Sequence, residues 1–128
     1  MTAPTYDTTT KTARMTATRD TVADGTLEIR AANNAVLLSF DLTAAGGSVS
    51  GAVWTLGFVD STRPGLAAAG AGTNADHGVI KDTGGTIRIS GLSVGTSGTA
   101  IIIDSLSVAE GQNVTVSSAT VTHAGDPS

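Results

Sequence analysis

The feature that most constrains this chain is a glycine-punctuated corner between two β-patterned runs. Gly91, Gly95 and Gly98 interrupt residues 91–98, and an unbroken aliphatic run, 100–103, leaves the corner directly. Strand pattern on both sides of such a corner fits a small all-β domain. Upstream, Leu27 and Ile29, then Val36, Leu38, Phe40 and Leu42, recur at every second position, the period of half-buried strands. Asn33-Asn34 lies between these runs, and Asn tolerates the positive φ of a tight two-residue hairpin, so 26–31 and 35–42 are predicted to pair antiparallel.

The remaining strands follow at short spacing. Residues 44–48, with Gly46-Gly47, read as a turn, and a third strand is predicted over 49–58, with Val53 and Trp54 on opposite faces. The longest gap is 59–72, which holds Asp60, Arg63, Pro64, Leu66 and an Ala/Gly run. A strand over 74–81 turns at Asp82-Thr83-Gly84-Gly85 and returns over 86–90. After the glycine corner come a strand over 99–104, a turn at 109–111 and a last strand over 113–122, bulged at Ser117-Ser118. Sandwiches and small barrels share this pattern. The expectation is a single antiparallel β-sandwich of about seven strands.

Ahead of it, residues 1–6 read as an extended lead-in. Asp7 or Thr8 is placed to cap a helix, and Gly25 to end one, but the Thr-rich segment between them fits an extended arm as well. The domain division is therefore an arm or helix at 1–24, a β-domain at 25–123 and a polar tail at 124–128.

With 128 residues there is room for one modest core. Aromatic residues make up 3%, so that core is mostly aliphatic and thin, a hint that neighbouring subunits supply buried surface. The net charge of -4 argues against nucleic-acid binding through a broad basic patch. There is no cysteine, no stretch long enough to span a membrane and no visible signal peptide, so folding in a cytoplasm is expected.

Little in the sequence carries chemistry. Asp76-His77 suggests an oriented base, with a serine as nucleophile. Strand neighbours point to opposite faces, however, so Asp76 is not expected to orient His77. Ser97 between glycines is not followed by the helix of a nucleophile elbow. His77, His123, Asp76, Asp82, Asp104 and Glu110 lack metal-binding spacing, and Asp20 and Asp24 read as a solvated helix end. Gly84-Gly85 has no G-K-[ST] and no following helix. The expectation is no enzyme, no cofactor and no metal. A small hydrolase with His77 as base remains a competing reading. A carbohydrate-binding β-module is another, and it requires an exposed Trp54.

The second half resembles a family of small proteins encoded among the structural genes of tailed bacteriophages. The resemblance rests on residues 76–82 (Asp-His-Gly-Val-Ile-Lys-Asp), Thr83-Gly84-Gly85-Thr86-Ile87, Val94-Gly95-Thr96-Ser97-Gly98, the strand 101–103, Ser105-Leu106-Ser107-Val108 and residues 111–118. The first half matches in outline over 24–30 and 35–40. What the resemblance implies is a virion structural protein, a multicopy capsid decoration or cement protein, with a tail or neck component as the alternative. Its partners would be copies of itself and a phage capsid or tail protein, not nucleic acid or membrane. It would be made in the bacterial host cytoplasm and reside in the virion. The segment 2–22 and the 59–72 gap would make the reaching contacts, through Arg14, Arg19, Arg63, Pro64 and Leu66.

Overall fold

The computed structural model describes residues 7–122, an N-terminal helix followed by ten strands. The lead-in 1–6, His123 and the tail 124–128 lie outside the described residues.

The N-terminal segment is a helix, α1, Thr8–Val22, and Asp7 caps it by accepting from the Thr10 N–H at 2.8 Å. Its threonines do not prevent helix formation, because Thr18 and Thr21 return their hydroxyls to the carbonyls of Arg14 and Ala17. Docking does the rest: Met15 and Val22, seven residues apart and therefore on one face, are both buried. Thr12 Oγ1 also donates to the Gly51 carbonyl at 3.0 Å. The exit differs from expectation. Asp24, not Gly25, takes the left-handed conformation (φ 65°), and Asp24 N–H donates to the Thr43 carbonyl. Gly25 is required for closeness instead: a Cβ there would run into the carbonyl oxygen of Lys81.

The strands are β1 (Thr26–Arg30), β2 (Val36–Ser50), β3 (Val53–Phe58), β4 (Thr62–Pro64), β5 (Thr73–Asn74), β6 (His77–Lys81), β7 (Ile87–Gly95), β8 (Ile101–Ile103), β9 (Ser107–Val108) and β10 (Asn113–Thr122). The main sheet runs β3-β2-β1-β6-β7-β8-β10, and β10 pairs back onto β3 through Thr120↔Thr55, Val121↔Trp54 and Thr122↔Val53. The fold is thus a closed seven-stranded barrel, not the expected sandwich. Nor is it purely antiparallel: β7 and β8 run parallel. An odd ring of strands cannot alternate direction at every step, so at least one neighbouring pair must be parallel. That pair falls at the glycine corner, where Val94 faces Ile101 and Gly95 faces Ile102.

Bulges supply the curvature that closes so small a barrel. The one at Ser117 was expected and is present, as Val116 pairs with Ile103 but Ser118 with Ile102. The one in β2 replaces the expected turn at 44–48. Between Leu42↔Phe58 and Gly47↔Leu56 the strand carries extra residues, and the hairpin turn lies later, at 51–52. Gly46 and Gly47 have φ of 80° and 115°, and the buried Trp54 indole donates to the Gly46 carbonyl at 2.9 Å. Glycine marks a bulge as readily as a turn, and the indole decides between them.

The β1–β2 hairpin pairs as expected, but through residues 32–34 rather than two. Asn34 N–H donates to the Ala31 carbonyl, Ala31 N–H to the Ala35 carbonyl, and Asn34 has φ 69°. This is a type I turn followed by a left-handed residue.

The predicted gap 59–72 is partly structured. β4 pairs with residues 113–115 of β10 and β3 with 120–122, while Val116 N–H donates to the Ser61 carbonyl between them. Residues 53–64 therefore act as one strand with a bulge at 59–61. A 3₁₀ turn, Ala67–Ala69, follows, and Leu66 N–H donates to the Leu37 carbonyl. The predicted 74–81 strand divides at Ala75-Asp76 into β5, which pairs with β9 in a small separate ladder, and β6 in the barrel.

The interior is aliphatic, with Leu27, Ile29, Leu38, Phe40, Leu42, Ile80, Ile101 and Ile103 almost wholly buried around Trp54. No buried polar or charged residue lies among the described residues.

Candidate functional site

The outer wall of the barrel divides by charge. On β1 and β6, Leu27, Ile29 and Ile80 face inward, so Glu28, Arg30, His77 and Lys81 face out. Glu28 accepts from Arg30 Nη2 at 2.6 Å and pairs with Lys81 Nζ at 3.0 Å, with only 13% of its side chain exposed. Burial works to raise its carboxyl, but the hydrogen bonds and charges of Arg30 and Lys81 outweigh burial, so it sits below the ordinary carboxylate range. In the β6–β7 turn Asp82 accepts from the Gly84 and Thr86 N–H groups and from Arg88 Nε. The Thr86 and Arg88 bonds lower its carboxyl too. The period of two put Glu28 and Arg30 on one face, but Lys81 joins them only through the β1–β6 register, which local pattern does not reveal.

The opposite wall carries no ionisable side chain. Residues 42–59, 89–103 and 111–122 contain no Asp, Glu, Lys, Arg or His. They supply β3, β8 and β10 entire, the second half of β2 and most of β7, and β2, β3, β10 and β8 are consecutive in the ring. Pairing partners share a face, so Ser48, Ser50, Val53, Thr55, Thr120 and Thr122 project outward while Val49, Trp54 and Val121 turn inward. This separation was readable in the sequence as long charge-free runs. Their convergence on one wall was not.

The expected contact residues fall in two places. Arg14 and Arg19 lie on α1, near the end of β10 that carries Thr122. Arg63 and Pro64 lie on β4 and Leu66 just after it, near the other end of β10. Arg19 is engaged within the fold, donating to the Gly47 carbonyl and pairing with Asp20. Arg63 and Pro64 are exposed, and Leu66 is 37% exposed. The structure does not join the two sets into one site. Arg14 lines a groove of about 470 Å³ with Met15, Ala17 and Thr18 of α1 and Ile89, Val121 and Thr122 of the barrel. The groove exists because β8 is so short. β7 meets it only at Val94 and Gly95, and α1, which packs on β2 and β3, borders the gap that remains between β7 and β10.

Asp76 does meet His77, contrary to expectation: Oδ2 lies 2.9 Å from Nδ1. Asp76 precedes the first residue of β6, so strand alternation does not govern it. Ser93 is the residue opposite His77 on β7, and its hydroxyl accepts from the Ala100 N–H. The three sit on the barrel's outer wall, outside the groove that Arg14 lines. Trp54, the residue a glycan platform would need, is fully buried. Among the described residues no three His, Asp or Glu side chains gather as metal ligands.

Comparison with protein families, curated proteins and solved structures found no match for this chain.

Proposed function

We propose that this chain is a structural protein of a bacteriophage virion, used in many copies as a capsid decoration or cement protein and acting by contact rather than catalysis. The observation that carries the proposal is the charge-free wall of β2, β3, β10 and β8. Depletion of charge is one compositional mark of an interface core, because a hydroxyl costs far less than an ion to take out of water and recovers that cost when a partner hydrogen-bonds it. The likeness to small phage virion proteins supports the same reading, and most of the residues that carry it fall between the start of β6 and the bulge in β10. The glycan-binding alternative loses its platform with Trp54 inside the barrel.

Immunogold labelling of particles from the source lysate, with antibody to the purified chain, tests the proposal. Gold over heads is the expected result, together with shells that break more readily when the protein is removed. Gold on tails or necks would move the partner to the tail. Absence of the antigen from denatured particles would overturn the virion role.

A further inference from the structure

We infer that the groove between α1 and the barrel is a binding site for a small amphipathic organic anion, a free carboxylate with an aliphatic body. The inference goes beyond the virion reading and does not rest on it.

The floor of the groove comes from the incomplete wall. β8 reaches β7 only at Val94 and Gly95, so among the described residues β7 has no strand partner on that side before Val94. Ile89, opposite Ile80, and Val121, opposite Trp54, face inward with their partners. Both pack against the core but stay only partly buried where they line the groove. Met15 completes the floor from the helix side. Covering aliphatic surface of this kind is favourable for an apolar body that fits it. The volume, about 470 Å³, falls in the ~300–1,000 Å³ range of small-molecule sites.

The rim selects the charge. Arg14 is exposed and is the one ionisable residue among the described residues that line the groove. The barrel side adds none, because 89–103 and 111–122 are free of charge. Along α1 the nearest carboxylate, Asp20, lies about 9 Å further up the axis and is paired with Arg19. A cation at the edge of an apolar floor attracts an anion whose body lies on that floor, and repels a cation. Arg14 is engaged within the chain as well, but a guanidinium carries five N–H donors, so other donors remain for a carboxylate. The Thr18 hydroxyl donates to the Arg14 carbonyl, which leaves Thr122 as the second side-chain donor at the rim. The net charge of -4 opposes an anion at long range, but screening confines that repulsion to about 8 Å at physiological salt.

The affinity is low, because the groove is open and its ion pair is exposed. Partial cover of an eight-carbon chain with one such pair corresponds to a Kd of about 1 mM.

The experiment is an NMR titration of the full, methyl-labelled chain with octanoate and, separately, with octan-1-ol, which has the same body without the charge. Octanoate should shift the Met15, Ile89 and Val121 methyl signals together and saturably, and octan-1-ol should bind about 2–5-fold more weakly. Arg14→Gln should weaken octanoate by about 2–5-fold, to the level of octan-1-ol, and leave octan-1-ol unchanged, which also shows that the groove is still formed. Arg63→Gln, exposed on β4 and outside the groove, should change neither. Absence of a saturable shift at the three methyl-bearing residues overturns the inference. So does octan-1-ol binding as tightly as octanoate, or an Arg14→Gln variant that binds octanoate like the parent.

Discussion

Trp54→Phe separates the two things Trp54 does, filling the barrel and holding the β2 bulge. The ring is fully buried, and its N–H meets the Gly46 carbonyl at 2.9 Å inside the fold. Phenylalanine keeps most of the packing and removes the donor. A buried carbonyl left without a partner costs about 1–3 kcal/mol. The smaller ring forfeits roughly 40 Å² of apolar contact, about 1 kcal/mol at ~25 cal/mol/Å². The expected loss is therefore about 2–4 kcal/mol, which moves a urea midpoint by about 1–2 M at a slope of ~2 kcal/mol/M. Trp54 is the chain's single tryptophan, so unfolding is followed by far-UV circular dichroism. Val53→Ala, at the neighbouring outward position, is the control and should cost under ~1 kcal/mol. Amide exchange supplies the local readout: protection should fall first at 43–47, the bulged stretch, and hold in β1 and β6. A loss below ~1 kcal/mol with unchanged protection at 43–47 would show that the bulge does not depend on the indole, and the reasoning would be wrong.

Met15→Ala should cost about 2–5 kcal/mol, as burial of a large side chain is lost, and should free α1 before the barrel opens. The check is loss of helical dichroism with barrel amides still protected. Gly25→Ala should be worse than its size suggests, because the added methyl meets the backbone oxygens of Lys81 and Val22, neither of which can rotate away; thermal melts should show a loss of about 3 kcal/mol or more. Glu28→Gln tests the outer ion cluster through pH. The folded carboxyl is lowered from its ordinary value of 4.5, so its stabilisation is present above that pH and is lost as pH falls through the lower folded value. The substitution should therefore cost about 1–3 kcal/mol at pH 7 and progressively less as the pH falls below 4.5, by urea titration across that range.

Local pattern made most of the strands legible. The β1–β2 pairing, the opposed faces of Val53 and Trp54, the Ser117 bulge and the last strand follow from alternation and turn chemistry, and they stand in the structure. What failed depends on contacts that strand alternation and turn chemistry do not encode. Gly46-Gly47 read as a turn because nothing nearby announces that an indole eight residues on will pin a bulge there. Asp76 was set aside as an orienter of His77 by a strand rule that begins to apply only one residue after it. The 59–72 gap looked structureless because β4 is only Thr62–Pro64 and takes its order from β10. The expected contact residues, Arg14, Arg19, Arg63, Pro64 and Leu66, lie outside the uncharged runs, although the runs themselves are legible in the sequence. The strand order that gathers those runs onto one wall is not.

Barrel and sandwich differ by one set of pairings, and the glycine corner bears on the choice. Seven strands can form two open sheets with free edges, or one ring in which a single neighbouring pair must run parallel. A parallel pair ordinarily needs a crossover of about a dozen residues or more. Here residues 96–100 suffice, because β7 and β8 overlap only at Val94↔Ile101 and Gly95↔Ile102. Thr99 Oγ1 donates to the Ile101 carbonyl and Ala100 N–H to Ser93 Oγ, which secures the short return. So brief an overlap has a cost: β8 spans three residues, and the wall between Ile89 and Val121 has no strand across it. α1 packs on β2 and β3 and forms one side of the groove left there, with Arg14 and Met15 in its lining. A longer return between β7 and β8 would allow a longer β8 and should narrow that groove.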